Sequence, residues 1–356
     1  MPATGSYDAQ KRCNIPQEGF LPPMKNSVCE KAVYIARGNG VESVHNASIV
    51  VLDGDGAVTH ALGNPSTLTF TRSSLKPFQA LPLIAEGVAD KIGLTEKELA
   101  LCCGSHNGSD EHQATALSIL KKGGNAPEDL LCGAHWPSFM RMKNTYPTNG
   151  EDQDPTRNNC SGKHSGFLAV ARHFGDSLAE YLNPDSKTQS AVRAAVAETL
   201  ELNAAEMPRG VDGCSAPNYA APIDKLALGF LKLATATSGP LARLASAMRA
   251  YPEMVSGEGR FDLALARTFP GNVICKVGAE AVEAIAFKDP ALAIVVKIND
   301  GGTRALYAAC IETMKQLGLL EGVDMTHLKA FECPIVKNHR GIHVGEVRAE
   351  FVLEKV

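Results

Sequence analysis

No two cysteines are spaced as C-x-x-C, although the 356 residues include 10 cysteines. That absence removes a zinc ribbon and a thioredoxin-like redox pair. Most of the cysteines, such as Cys275 and Cys310, sit among small apolar neighbours and read as buried free thiols, which fits a reducing compartment. An excess of basic charge is missing too: 35 Lys and Arg stand against 39 Asp and Glu, a net charge of -4. Nucleic acid and an acidic membrane surface are therefore not expected partners. No apolar run is long enough to span a bilayer, and the first residues, Met1 to Ser6, lack the apolar stretch of a signal peptide. A cytoplasmic location is the expectation. Repeats and low-complexity tracts are absent, and the glycine-rich turns lack the order of a nucleotide loop. Gly54-Asp55-Gly56 falls in a hairpin, Gly257-Glu258-Gly259 follows no strand, and Ser161-Gly162-Lys163-His164 lacks the upstream glycine of a phosphate loop.

What is present is an ordinary globular composition, 44% hydrophobic and 21% charged, on a chain long enough for about two domains of ~150 residues. Residues 1–23 are polar and rich in proline and glycine and read as a flexible extension. Strand patterns follow at Ala32–Ile35, Ala47–Leu52 and Ala57–Leu62, the last two joined by the Asp53-Gly54-Asp55-Gly56 turn. From Ser74 to about Arg267 helical periodicity dominates, clearest at Ser186–Leu202, Ile223–Ala236 and Leu241–Tyr251. A polar stretch from Met140 to Asn159 interrupts it and reads as a long loop. Strand character returns at Ala291–Ile298 and Gly341–Leu353, with a helix from Thr303 to about Leu317 between them. The expected fold class is therefore α+β. A mostly antiparallel sheet drawn from both ends of the chain (residues 24–70 and 270–356) packs against a mainly helical lobe (71–269), with a catalytic cleft between them.

Two segments carry candidate chemistry. In Arg72-Ser73-Ser74-Leu75-Lys76 a serine precedes a lysine by three residues, and Gly104-Ser105-His106-Asn107-Gly108 adds a second polar cluster. On a helix, Lys76 would lean back over Ser73 and, if neutral, accept its proton. The same pattern recurs at Ser118 and Lys121, inside an amphipathic helix ending at Gly123-Gly124, where it is structural. Ser73 stands at a strand-to-helix boundary, so its hydroxyl is equally a candidate N-cap. His164 is open to a structural or a catalytic reading, and Cys160 and Cys214 to that of plain buried thiols.

Taken together, Asn159-Cys160-Ser161-Gly162-Lys163-His164, Asp212-Gly213-Cys214, Gly257-Glu258-Gly259-Arg260-Phe261-Asp262 and Lys276-Val277-Gly278-Ala279-Glu280 resemble the asparaginase II family, of rhizobial inducible type. The resemblance runs from about Ala32 to the C-terminus. It implies a serine β-lactamase or penicillin-binding-protein-like fold and a homodimer that hydrolyses L-asparagine to L-aspartate and ammonia. It implies Ser73 with Lys76 and Ser105 with Lys288 as two catalytic serine-lysine tandems, and Cys160, Lys163 and Cys214 as ligands of Zn²⁺. Arg72, His164 and Asp212 are the expected substrate-binding residues, Arg72 and Asp212 offering a cation and an anion to a zwitterionic amino acid. A glutaminase or other serine amidohydrolase of the same fold, a β-lactamase-like enzyme, or an amino-acid-binding protein without catalysis is the alternative. For the β-lactamase reading the third motif, Lys-Thr-Gly on a strand, is absent.

Overall fold

A computed structural model describes residues 29–143, 145 and 153–356. The expected extension at 1–23 and the centre of the 140–159 loop lie outside the described residues. Twelve strands are present among those described: β1 (Glu30–Arg37), β2 (Gly40–Leu52), β3 (Val58–Leu62), β4 (Leu68–Phe70), β5 (Arg209–Val211), β6 (Pro217–Pro222), β7 (Val273–Gly278), β8 (Val282–Phe287), β9 (Leu292–Ile298), β10 (Ile335–Lys337), β11 (His343–Ala349) and β12 (Glu354–Lys355). Nine of them form one sheet in the order β10-β11-β1-β2-β9-β8-β7, with β3 on β2 and β12 on β3. Every pairing in it is antiparallel, from β2 against β9 (Val50 opposite Val295) to β7 against β8 (Cys275 opposite Ile285). The protein is a mixed α+β fold with an antiparallel sheet joining both ends of the chain, as the sequence implies.

The central strands are apolar at nearly every position because both faces of the sheet are covered. Side chains alternate across it. Val50, Leu52, Val282, Ala284 and Val295 face the helical segment, where the Ile223–Thr235 helix brings Phe230 edge-on to Phe78 at 5.4 Å between centroids. Ile49, Val51, Ile285, Ile294 and Val296 face the other way, onto the Thr303–Gln316 helix and the Phe261–Thr268 helix. A second, three-stranded sheet, β4-β6-β5, joins the residues just before the helical segment to two strands inside it. The alternation at Thr67–Thr71 marks β4, but periodicity does not reveal β5, which is three residues long, or its pairing with β6.

One polar group breaks the apolar outer face. Glu283 on β8 has no exposed surface and neither carboxyl oxygen has a hydrogen-bond partner among the described residues. Burial, with the Asp262 charge beside it, holds its pKa well above the usual carboxylate range. A raised folded-state value makes the protonated acid the folding-competent form. Its contribution is complete below the unfolded value of about 4.3 and is lost as pH rises toward the folded one. Glu283→Gln should therefore melt above the parent at pH 8, with a gap that narrows toward pH 5. A gap of equal size at both pH values would show that Glu283 carries no such titration.

Candidate active site

The chain leaves β4 at Thr71, whose backbone N–H and hydroxyl both donate to Tyr219 O on β6, at 3.3 and 2.8 Å. Arg72 follows with φ +51°, a left-handed conformation that costs a residue with a side chain about 1–2 kcal/mol. Asn218 holds it there. Its Oδ1 accepts from Arg72 N–H at 3.2 Å and its Nδ2 donates to Arg72 O at 3.1 Å, so one amide satisfies both backbone groups. A 3-10 turn over Arg72–Leu75 leads into the Lys76–Gln79 helix. Strand β7 presses against this turn: a Cβ at Gly278 would lie 2.5 Å from Thr71 O, so only glycine lets the two backbones approach.

Ser73 sits in that turn, half-buried, and its hydroxyl has no partner among the described residues. It is not an N-cap: Thr71 holds the cap position, and no side chain caps the turn. Nor does Lys76 lie over it. Lys76 has no exposed surface, and its ammonium donates to Gly104 O at 2.5 Å, Ser105 Oγ at 2.9 Å and Asn159 O at 3.0 Å. The serine that Lys76 touches is Ser105. Helical spacing aligns backbones, whereas the carbonyls of Gly104 and Asn159 decide where a buried ammonium must go. Burial, reinforced by the Lys163 charge, lowers the Lys76 pKa against the opposing pull of the Cys160 and Cys214 sulfurs.

Ser105 is held from behind. Ser105 N–H donates to Val255 O at 2.8 Å and Asn107 N–H to Ser256 O at 2.9 Å, so residues 105–107 run along 255–256. His106 between them is buried, stacks on His112 at 4.7 Å and meets Ser161 Oγ through Nε2 at 3.1 Å. Burial and the His112 charge push its pKa down, which makes it a neutral ring.

The expected partner of Ser105, Lys288, is elsewhere. It is exposed, in the turn one residue beyond Phe287. The Gly278 end of β7 pairs with Val282, so Lys288 lies at the far end of β8, roughly 20 Å along at ~3.3 Å per residue. The lysine near the centre is Lys276 on β7, with no exposed surface and Nζ bonded to Val277 O at 2.8 Å. It shares the face of Ile274 toward the Ser73 turn. Burial lowers its pKa to about 8, with Lys76 and Arg260 pushing the same way and Asp262 opposing. Lys276-Val277-Gly278 thus occupies a strand as Lys-Thr-Gly would, with valine for threonine, so a Lys-x-Gly motif is present after all. A lysine at an alternate position of an otherwise apolar strand was the available signal.

The remaining predicted residues do converge. Cys160 and Lys163 open the Ser161–Phe174 helix, and Cys214 sits in the turn between β5 and β6, all three buried. Lys163 Nζ lies 3.2 Å from Cys214 Sγ. The interaction of the two cysteines lowers the Cys214 pKa far below its ordinary value, helped by Lys163, and raises that of Cys160. Burial opposes the charge on Lys163, but the Cys214 and Cys160 sulfurs and Asp212 outweigh it and raise its pKa. His164 meets Tyr181 Oη through Nδ1 at 2.7 Å, while its Nε2, beside Cys214, lacks a hydrogen bond of ordinary geometry. Tyr181 Oη accepts from Leu131 N–H at 2.9 Å, so its own proton goes to His164 Nδ1 and the ring proton sits on Nε2. No group of three His, Cys, Asp or Glu side chains among the described residues is arranged for a metal. Two thiols and an amine stand together there, donors that could hold a metal only once deprotonated. Arg72 and Asp212 are bonded to each other, Nε to Oδ1 at 2.8 Å.

The sequence pattern of L-asparaginase II matches residues 33–349. No match was found among curated proteins. Among solved structures the chain is similar to a β-lactamase from Mycobacterium bovis (14% identity, 76% of this chain and 94% of that one, TM-score 0.39). It is similar also to a penicillin-binding protein homologue from Pyrococcus abyssi (14%, 76% and 73%, TM-score 0.37). A third is Mglu in its native form in 4.3 M NaCl, of whose chain 61% is covered against 76% of this one (14%, TM-score 0.37).

The Asn218 clamp predicts its own cost. Asn218→Ala leaves the Arg72 N–H and C=O without partners and should lower the unfolding free energy by about 1–3 kcal/mol, measured by denaturant titration. An unchanged midpoint would mean that the turn is held by something else.

Proposed function

The chain belongs to the L-asparaginase II family and is an L-asparagine amidohydrolase, and from that premise we propose that Ser73 is its nucleophile, served by Lys76, Ser105 and Lys276. The observation that carries this reading is an unpartnered serine hydroxyl on a strained turn, three residues before a buried lysine whose ammonium reaches a second serine. Ser73 Oγ attacks the side-chain amide carbon of asparagine while its proton passes to the neutral amine of Lys76. The C–N bond breaks as the leaving nitrogen takes the Ser105 hydroxyl proton, which Lys76 replaces, and ammonia departs from an aspartyl ester on Ser73. Water then attacks the ester, gives its proton to Lys76 through Ser105, and the Ser73 oxygen leaves with a proton. Burial and the Lys163 charge favour the neutral form of Lys76, and Lys276 is a second buried amine whose own pKa the Lys76 charge lowers. Both Asp212 bonds use Oδ1, so Oδ2 is available to the substrate's α-ammonium. Arg72 orients Asp212, and His164 supports the thiol cluster.

Cys160, Cys214 and Lys163 are proposed as the zinc ligands, and zinc there would supply a fixed positive charge that orients the substrate. Homodimeric assembly belongs to the same reading through the family resemblance. A cytoplasmic location is supported by the absence of disulfides among the described cysteines. No helix among the described residues is long and apolar enough to cross a membrane.

The test is ammonia release from purified protein with asparagine, glutamine run alongside, since one methylene is worth only ~1–3 kcal/mol of discrimination. Lys276→Met should lower turnover by about 10-fold or more, the scale of a one-unit pKa change at a neighbouring base, and Lys288→Met should keep parental turnover. The reverse pattern would return the role to Lys288. In the same preparations, Cys160→Ala/Cys214→Ala should lose bound zinc by elemental analysis, and stoichiometric zinc in that variant would overturn the ligand assignment.

A further inference from the structure

The α-carboxylate of asparagine needs a cation, and Arg72 is already committed to Asp212 at 2.8 Å. One guanidinium beside the centre has no carboxylate partner. Arg260 lies in the Gly257-Glu258-Gly259-Arg260 loop that the assigned roles leave unused, and its single hydrogen bond among the described residues is Nε to Ser256 Oγ at 3.2 Å. No Asp or Glu oxygen forms an ion pair with it, and Glu258, two residues away, is paired with Arg267 instead. Its loop is fixed to the Ser105 segment. Val255 O and Ser256 O accept from Ser105 and Asn107, and a Cβ at Gly257, where φ is +121°, would lie 2.6 Å from the Asn107 side chain.

An arginine that is half-buried, unpaired and bolted to a catalytic segment is a standing demand for an anion. The centre around it carries three buried cations, Lys76, Lys163 and Lys276, while of the two aspartates nearby Asp212 is bonded to Arg72 and Asp262 accepts from Val277 N–H at 3.2 Å. Ser256, whose hydroxyl accepts from Arg260 Nε, also accepts from Asn107 N–H through its carbonyl, which places the guanidinium beside the Ser105 segment. We infer that Arg260 anchors the substrate's α-carboxylate, so that the amino acid lies between Arg260 at one end and Asp212 at the other with its side-chain amide over Ser73. This rests on the asparagine-hydrolase reading and goes beyond it by naming the group that selects an α-amino acid over a simple amide.

The experiment compares L-asparagine with 3-aminopropanamide, the same molecule without the carboxylate, on the full-length protein. The parent should prefer asparagine in kcat/KM. Arg260→Gln should raise KM for asparagine by about 10–100-fold, the scale of a lost charge-assisted hydrogen bond, while turnover of 3-aminopropanamide stays at the parental level. The preference for the carboxylate then collapses. Arg260→Lys, which keeps the charge and loses the fork, should retain part of it. If Arg260→Gln lowers both substrates equally and leaves their ratio unchanged, the residue is structural and the inference is wrong. Should Arg260→Gln fail to fold, Arg260→Lys decides: a ratio equal to the parent's overturns the anchor. A parent that releases no ammonia from asparagine defeats the underlying reading instead, which keeps the two failures apart.

Discussion

An ammonium with no exposed surface must find its hydrogen bonds inside the protein or give up its proton. Lys76 is under that constraint, and the arrangement of the centre follows from how it is met. Its bonds to Gly104 O, Ser105 Oγ and Asn159 O join the end of the Glu96–Cys102 helix, the catalytic segment and the start of the Ser161–Phe174 helix. Each of those segments brings something with it. The first places Ser105 and His106, and the last delivers Cys160 at the N-cap and Lys163 and His164 in the first turn of its helix. Gly162 lets that helix close on its neighbour, since a Cβ there would lie 2.4 Å from Leu101 O.

The second constraint is backbone strain at Arg72, offset by the Asn218 amide and by the packing of Gly278 on the turn. Strain of this kind persists only where the surroundings over-determine it. Here they do so from two sheets at once, β6 on one side and β7 on the other. The result is a serine hydroxyl left without a partner among the described residues, three residues before the buried Lys76, where the Cys160 and Cys214 sulfurs balance part of the positive charge.

Much of this was legible in the sequence. The apolar runs of β2 and β9, the Asp-Gly turn and the amphipathic helices fix the α+β arrangement, because burial on both faces leaves continuous Val, Ile and Ala stretches. The Ser118 and Lys121 copy of the serine-lysine pattern was separable from the first by its setting, and in the fold Ser118 bonds Glu98 at 2.7 Å. What could not be read was pairing across the chain. Whether Lys276 or Lys288 faces the Ser73 turn depends on the register of β7 and β8, although Lys276 stands inside an apolar strand and Lys288 before an Asp-Pro turn. The partner of Lys76 depends on where the Gly104 and Asn159 carbonyls come to rest, far away in sequence. Asn218 gave no signal, because its role exists only opposite Arg72.

The central claim is that the half-buried Ser73, rather than the lysine-bonded Ser105, takes the acyl group. Rapid acid quench of the protein with asparagine, followed by peptide mass spectrometry, tests it most directly. The account predicts an aspartyl ester on the peptide holding Ser73, absent from Ser73→Ala. An ester on the peptide holding Ser105, or undiminished labelling in Ser73→Ala, would contradict it.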